Sequence, residues 1–272
     1  MELVSGRQPA TPPRVIVFDF DGTVSLVRAG WADTMADLAV ETLRAAGARD
    51  EDAALRAHSL NRIMELNGKP PIHQMRWLAA EALKHGGAAP APETLLIEYQ
   101  ARLMRQVEAR REALRSGKSS VDSMRVAGVS DFLPMVRRRG AIPWLISGTA
   151  QRDVQTEAEL LDVAGAFENR IVGAPSGDAG GFSKREAIER ALRQAGASGA
   201  QLASFGDGHV EIAETRALGG FAIAIASDER ERSGRPDAWK RERLIEAGAD
   251  AVAADFRDAD SLIAYLWGTS RE

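Results

Sequence analysis

Two carboxylates separated by one residue close the first apolar run of the chain. Val15–Phe20 reads VIVFDF and continues as Asp21-Gly22-Thr23. Side chains alternate across a strand, so Asp19 and Asp21 are expected on one side with Phe20 opposite. Carboxylates that close together offer the hard oxygen ligands that Mg²⁺ takes. Gly22 allows the unusual backbone angle of a tight turn. An isolated Asp-Gly pair is equally a simple turn former. A calcium loop of the D-x-[DN]-x-[DN]-G type does not fit, because its twelfth position would be Gly30, which has no carboxylate.

Three later groups have matching chemistry. A second apolar run ends in Leu145-Ile146-Ser147-Gly148-Thr149, which supplies hydroxyls and a glycine amide that an anion can approach. Phe182-Ser183-Lys184-Arg185-Glu186 opens a helix with the S-x-x-E spacing of a capping box. That spacing puts Lys184 in the first turn, where a cation opposes the helix dipole and a nearby phosphate would offset the cost. Phe205-Gly206-Asp207-Gly208-His209-Val210-Glu211 adds two carboxylates and a histidine. Taken singly, these read equally as a polar strand end, a solvated lysine and a surface turn.

The elements that must position them follow from the apolar pattern. Strand-length runs fall at Val15–Phe20, Ile142–Ile146, Arg170–Gly173, Gln201–Phe205, Phe221–Ala226 and Asp250–Ala254. Several are apolar throughout, the pattern of parallel strands covered on both faces. From Ile142 onward, helical segments near 152–164, 184–195, 209–218, 237–247 and 258–267 separate them, which predicts an α/β domain with a doubly wound parallel sheet. Ligands of such sheets sit at the carboxyl ends of the strands, where all four groups fall. Residues 25–125 contain no strand and four helical stretches, near 31–46, 52–66, 72–85 and 93–115. Trp31, Met35, Leu38, Thr42 and Leu43 share one helical face. The expected organisation is a loose tail over 1–13 carrying Pro9, Pro12 and Pro13, a core from 14–25 and 126–272, and an inserted all-helical domain over 26–125.

The order DFDGT, strand-ending Ser147, helix-opening Lys184, then Gly206-Asp207-x-x-x-Glu211 resembles the haloacid dehalogenase-like hydrolase superfamily. The resemblance spans 19 to 211 and implies a Rossmann-like core with a helical C1-type cap. It implies Asp19 as nucleophile, forming an aspartyl-phosphate that divides one difficult step into two. Asp21 would be general acid and base. Lys184 and Ser147 would hold the phosphoryl oxygens, and Asp19, Asp207, Glu211 and the Asp21 main chain would hold Mg²⁺. Glu211 stands where many members have Asp. A carboxyl at Asp21 favours phosphate monoesters, since a departing alkoxide needs a proton and a halide does not. A phosphomutase needs the same acid and stays open, as does a non-catalytic metabolite-binding protein on this scaffold.

Gly22, Thr23, Gly148 and Thr149 are expected around the phosphate, and His209 beside it. In the cap, Arg62, Asn67, Gly68, Lys69, His73 and Gln74 form a donor-rich cluster suited to an anionic, hydroxylated molecule such as a sugar phosphate. The charged loop Asp228–Trp239 carries no assignable role. Composition excludes other classes. The 272 residues contain no Cys, which removes disulfides and thiol nucleophiles, and fits a cytoplasmic home. A net charge of -4 provides no basic field for nucleic acid. No apolar run spans a membrane, and no signal peptide is expected at the start. The expected partner is a small phosphate ester, and nothing indicates an oligomer. Of five lysines, Lys184 and Lys69 are expected near substrate and Lys84, Lys118 and Lys240 in solvent.

Overall fold

A computed structural model of the chain describes residues 1–67, 70–88, 90–175 and 182–268. The chain forms two compact units, Met1–Ala29 with Arg111–Glu272, and Gly30–Arg110. The first unit contains a seven-stranded sheet: β1 (Glu2–Leu3), β2 (Val15–Phe18), β3 (Ile142–Ala150), β4 (Ile171–Ala174), β5 (Leu202–Gly206), β6 (Phe221–Ile225) and β7 (Ala251–Ala253). Their order is β1-β7-β6-β5-β2-β3-β4. β2 lies between β3 and β5, parallel to both, and among the seven described strands the β1–β7 pair is the antiparallel one.

The second unit consists of α1 (Trp31–Ala45), α2 (Asp52–Glu65), α3 (Ile72–Lys84) and most of α4 (Pro92–Arg115), with the unit boundary inside α4. Met35, Leu38, Leu43, Leu55, Ile63, Met75, Leu78 and Tyr99 make its core. The helices of the first unit are α5 (Val129–Arg138), α6 (Gln151–Leu160), α7 (Ala164–Phe167), α8 (Lys184–Ala195), α9 (His209–Ala217), α10 (Ala238–Glu246) and α11 (Ala259–Trp267).

Strand alternation sets the two faces of the sheet. Val15 and Val17 pack with Trp144 and Ile146 against Ile188 and Ala191 of α8. Phe18 points to the other face, where it stacks on Phe205 at 5.1 Å and meets Phe132, Phe167 and Phe256. Five fully buried phenyl rings thus fix the end of β2 at the place where the carboxylates begin.

The structure departs from the sequence reading in five places. β2 stops at Phe18, because the amides of Thr23, Val24 and Ser25 all turn back to the Phe20 carbonyl. β3 instead runs on through Ser147-Gly148-Thr149, with a register shift against β4 between Ile146 and Ala150. The helix expected over 152–164 breaks into α6 and α7, with Asp162 at φ 52° between them. α5 has no counterpart in the sequence reading, because Pro134 and two arginines in its last turn obscure its apolar face of Phe132, Leu133 and Val136. Residues 2–7 of the expected loose tail are also tied down. β1 pairs with β7, Arg7 reaches the buried Asp250 at 3.1 Å, and the Tyr265 hydroxyl donates to the Arg7 carbonyl at 2.9 Å. The charge of Asp250 overcomes the expectation drawn from the prolines.

Candidate active site

Asp19 follows β2 on the face of Val15 and Val17, the face that α8 covers. Lys184 is the first residue of α8, so alternation on one element and capping on the other bring the two together. Ser183 accepts the Glu186 amide at 3.2 Å and starts the helix there. The Lys184 ammonium then donates to Asp19 Oδ1 at 2.8 Å and to Glu211 Oε2 at 2.9 Å. Glu211 Oε1 accepts the Gly208 amide at 2.5 Å. Burial pushes the Asp19 carboxyl well above its usual range, and the Glu211 and Asp207 carboxylates outweigh part of the relief from Lys184. Burial acts in the same direction on Glu211, but Lys184 and the Gly208 amide carry it below its ordinary value. Glu211 thus has two strong donors, the Lys184 ammonium and the Gly208 amide. Burial alone would lower the Lys184 ammonium, but Asp19 and Glu211 raise it above its ordinary value.

Asp21 does not share these partners. With β2 ended, alternation no longer controls it. Its Oδ2 accepts the Thr149 hydroxyl at 2.6 Å, and its Oδ1 faces Arg28 Nε at 3.6 Å. Burial raises the Asp21 carboxyl, with Arg28 and Thr149 opposing. Arg28 is absent from the sequence reading, where it passes for a linker charge.

Asp207 contains the largest surprise. Lys240, expected in solvent, donates to Asp207 Oδ2 at 2.8 Å, to Glu229 Oε1 at 2.5 Å and to Ser227 Oγ at 3.2 Å. Ser227 in turn donates to the Gly22 carbonyl at 2.6 Å. The loop after β6 thus has a role: it presents Glu229, and Asp237 caps α10 so that Lys240 faces the carboxylates. Burial pushes Asp207 up to about 6, against the pull of Lys240. The only signal in the sequence was the scarcity of lysine.

The remaining expected residues fall as follows. Thr23 is fully buried and its hydroxyl points at Asp207 Oδ1 at 3.4 Å. Gly22 has φ +75°, and a Cβ there would lie 2.1 Å from Asp207 Oδ2, so only glycine fits. Ser147 is buried and its Oγ accepts the Thr149 amide at 3.0 Å, which leaves its hydroxyl hydrogen to donate. Gly148 is exposed with open space around it, and His209 is exposed at the start of α9. In the second unit, Arg62 pairs with Glu65 on α2, Asn67 lies in the turn that follows, and His73 is exposed on α3. Gln74 is buried and donates to the Leu66 carbonyl at 3.2 Å, which is a structural tie and not a free donor. Gly68 and Lys69 lie outside the described residues. A separate cavity of about 1080 Å³ in the first unit has none of these carboxylates in its wall. Its Arg125, Arg232 and Arg257 are committed to main-chain carbonyls and neighbouring acids.

Asp19, Asp207 and Glu211 each offer an oxygen, all within 4.8 Å of one another. With Glu229, four carboxyl groups face the two ammonium groups of Lys184 and Lys240, so acids outnumber bases in the cluster. A divalent cation would relieve their crowding, and hard oxygens are the ligands such a cation takes. The donor set therefore fits a divalent metal.

Comparison with known proteins gives a consistent result. Residues 13–219 match the family model described as haloacid dehalogenase-like hydrolase. No curated protein matches the chain. Among solved structures, a predicted phosphoglycolate phosphatase from Haemophilus somnus shares 14% identity at a TM-score of 0.61, covering 93% of this chain and 99% of that one. A HAD family hydrolase from Deinococcus radiodurans, solved with bound phosphate and sodium, gives 15%, 0.59, 93% and 96% in the same measures. A protein from Thermotoga maritima described, by inference, as a β-phosphoglucomutase gives 19%, 0.56, 92% and 98%. At these identities the likeness is one of fold.

Proposed function

The chain belongs to the haloacid dehalogenase-like hydrolases, and from that premise we propose that it hydrolyses the phosphate monoester of a small metabolite, of the sugar-phosphate kind, through an aspartyl-phosphate on Asp19. The observation that carries this reading is the division of labour between two carboxyls, Asp19 buried and Asp21 half-buried. Asp19 sits with Lys184 and the metal-type carboxylates, whereas Asp21 sits apart with Thr149 and Arg28. One group is equipped to meet a phosphorus centre and the other to move a proton.

Asp19 attacks phosphorus, and the bond from phosphorus to the ester oxygen breaks. Asp21 gives its proton to that oxygen, so an alcohol leaves instead of an alkoxide. Asp21, now a carboxylate, takes a proton from the water that cleaves the aspartyl-phosphate, and Asp19 is restored. Lys184 and Ser147 donate to the phosphoryl oxygens, with the amides around Gly22 and Gly148. Asp19, Asp207 and Glu211 would hold Mg²⁺, which supplies positive charge against the repulsion between carboxylate and phosphate. Choice of substrate is assigned to Arg62, Asn67, Lys69 and His73 of the second unit, with His209.

Phosphate release from a panel of sugar phosphates, with Mg²⁺ and with EDTA, tests the reading. Release that needs Mg²⁺ supports it. Isomer interconversion with little release replaces it with a phosphomutase, and ligand binding without either replaces it with a binding protein. Asn67→Ala and His73→Ala on the same panel check the assignment of specificity by a changed order of preference.

A further inference from the structure

Asp21 stands at the head of a row of charges, fully buried at Glu157 and half-buried at Asp21 itself, that its proposed chemistry does not by itself require. Thr149 Oγ1 donates to Asp21 Oδ2 at 2.6 Å. Asp21 Oδ1 is buried, accepts no hydrogen bond and faces Arg28 Nε at 3.6 Å. Behind Arg28 stands Glu157, fully buried, whose Oε1 accepts from Arg28 at 2.8 Å and also from Arg111. Asp153, one turn earlier on α6, accepts from Arg111 at 3.0 Å and lies 3.7 Å from Arg28. Burying charge is costly even when it is paired, so a row of this kind points to a geometric requirement. A guanidinium is the group suited to it, since its planar fork can bind Glu157 with one edge and face Asp21 with another.

We propose that Arg28, held from behind by Glu157, is the positioning residue for Asp21. The inference rests on the phosphatase reading. Oδ1 is buried against Arg28, so the transferable proton resides on the accessible Oδ2, on the lone pair that Thr149 leaves open. Arg28 is too distant to hydrogen-bond Oδ1 and leaves the carboxyl free to hold its proton. Its charge nevertheless faces the carboxyl group on which negative charge develops as the proton departs. The bond from Oδ2 to hydrogen breaks, the ester oxygen gains that hydrogen as its bond to phosphorus breaks, and the carboxylate left behind faces Arg28.

The consequence is specific to the leaving group. p-Nitrophenolate departs without a proton, and the alkoxide of glycerol 2-phosphate does not. Arg28→Gln should reduce kcat for glycerol 2-phosphate at least about tenfold, a fraction of what general acid catalysis supplies, and leave p-nitrophenyl phosphate within about threefold. Glu157→Gln should show the same bias, and Arg28→Lys should restore part of the loss. Arg111→Gln, which removes a partner of Glu157 but not of Asp21, should leave the ratio of the two rates unchanged. An equal fall on both esters in Arg28→Gln, or the same bias in Arg111→Gln, overturns the inference and leaves the phosphatase reading standing. If thermal melting shows Arg28→Gln unfolded, the ratio in Arg28→Lys and Glu157→Gln decides in the same way. A wild-type chain that hydrolyses neither ester overturns both.

Discussion

At the scale of single residues, the site is a cluster of carboxylates held at a cost. Asp19 is buried beside two other acids, and burial disfavours its charge. Asp19→Asn should therefore abolish turnover while the metal-free protein melts at a temperature at least as high as the wild type, read by circular dichroism. Retained turnover would remove Asp19 as nucleophile. Asp207 gives the pH dependence. Its carboxyl is raised in the fold to about 6 from an ordinary 3.8. A raised acid contributes stability that is fully present below about pH 4 and is lost as pH climbs through about 6. In EDTA, the melting temperature of Asp207→Asn relative to wild type should thus rise between pH 4 and 7, and Mg²⁺ should stabilise only the wild type strongly. A flat difference would mean that Asp207 titrates normally. Lys240→Met leaves Asp207 and Glu229 facing each other, so it should cost about 3 kcal/mol at pH 7. The cost should shrink at pH 5, where Asp207 holds a proton, and equal costs at both pH values would count against the pairing. The four motif residues were legible in the sequence because their chemistry demands particular residue types in a particular order. Lys240, Arg28 and Glu157 were not, because a charge that meets its partner 33 or 129 residues away looks like any solvated charge.

At the scale of elements, the alternation of strand and helix was readable because a parallel sheet covered on both faces leaves continuous apolar runs. The helix over 184–195 was placed to the residue, since Ser183 and Glu186 announce its start and the αL Gly196 ends it. Strand ends were harder, because main-chain hydrogen bonds at the Phe20 carbonyl, invisible in the side-chain pattern, stop β2 at Phe18. The same turn carries a sharp prediction. A methyl group at Gly22 would lie 2.1 Å from Asp207 Oδ2, and φ there is +75°. Gly22→Ala must displace either the turn or the carboxylate. Mg²⁺ affinity by calorimetry should fall at least about tenfold in this variant, while Gly148→Ala, with open space around it, leaves affinity within about twofold. Equal affinities in Gly22→Ala and wild type would separate Asp207 from the metal.

At the scale of the whole molecule, the opening segment and the chemistry lie at different places in one sheet. β1 is four positions from β2 in the strand order, which at the usual spacing is about 19 Å. The segment is held by charge and burial: Asp250 gathers Arg7, Arg216, the Ser5 hydroxyl and the Ala222 amide, and Tyr265 gives its hydroxyl to the Arg7 carbonyl. Prolines had suggested a free tail because composition records stiffness and not the partner that a buried carboxylate provides. Burial also pushes the Tyr265 phenol up to about 12. A raised phenol contributes stability present below about pH 10 and lost as pH rises through about 12. Deleting residues 1–8 removes the acceptor that holds the phenol in its neutral form, so the late phenol ionisation in an ultraviolet titration should move back toward pH 10, a transition that Tyr265→Phe deletes altogether. The truncation should cost about 2 kcal/mol, the loss of half-buried hydrogen bonds to charged and phenolic groups, seen as a lower melting temperature. Turnover at 25 °C should persist, because Asp19, Lys184 and Asp207 are anchored by β2, α8 and β5 and not by β1. A truncated chain that keeps its fold but loses turnover would show that the edge of the sheet reaches the chemistry, and the separation argued here would fall.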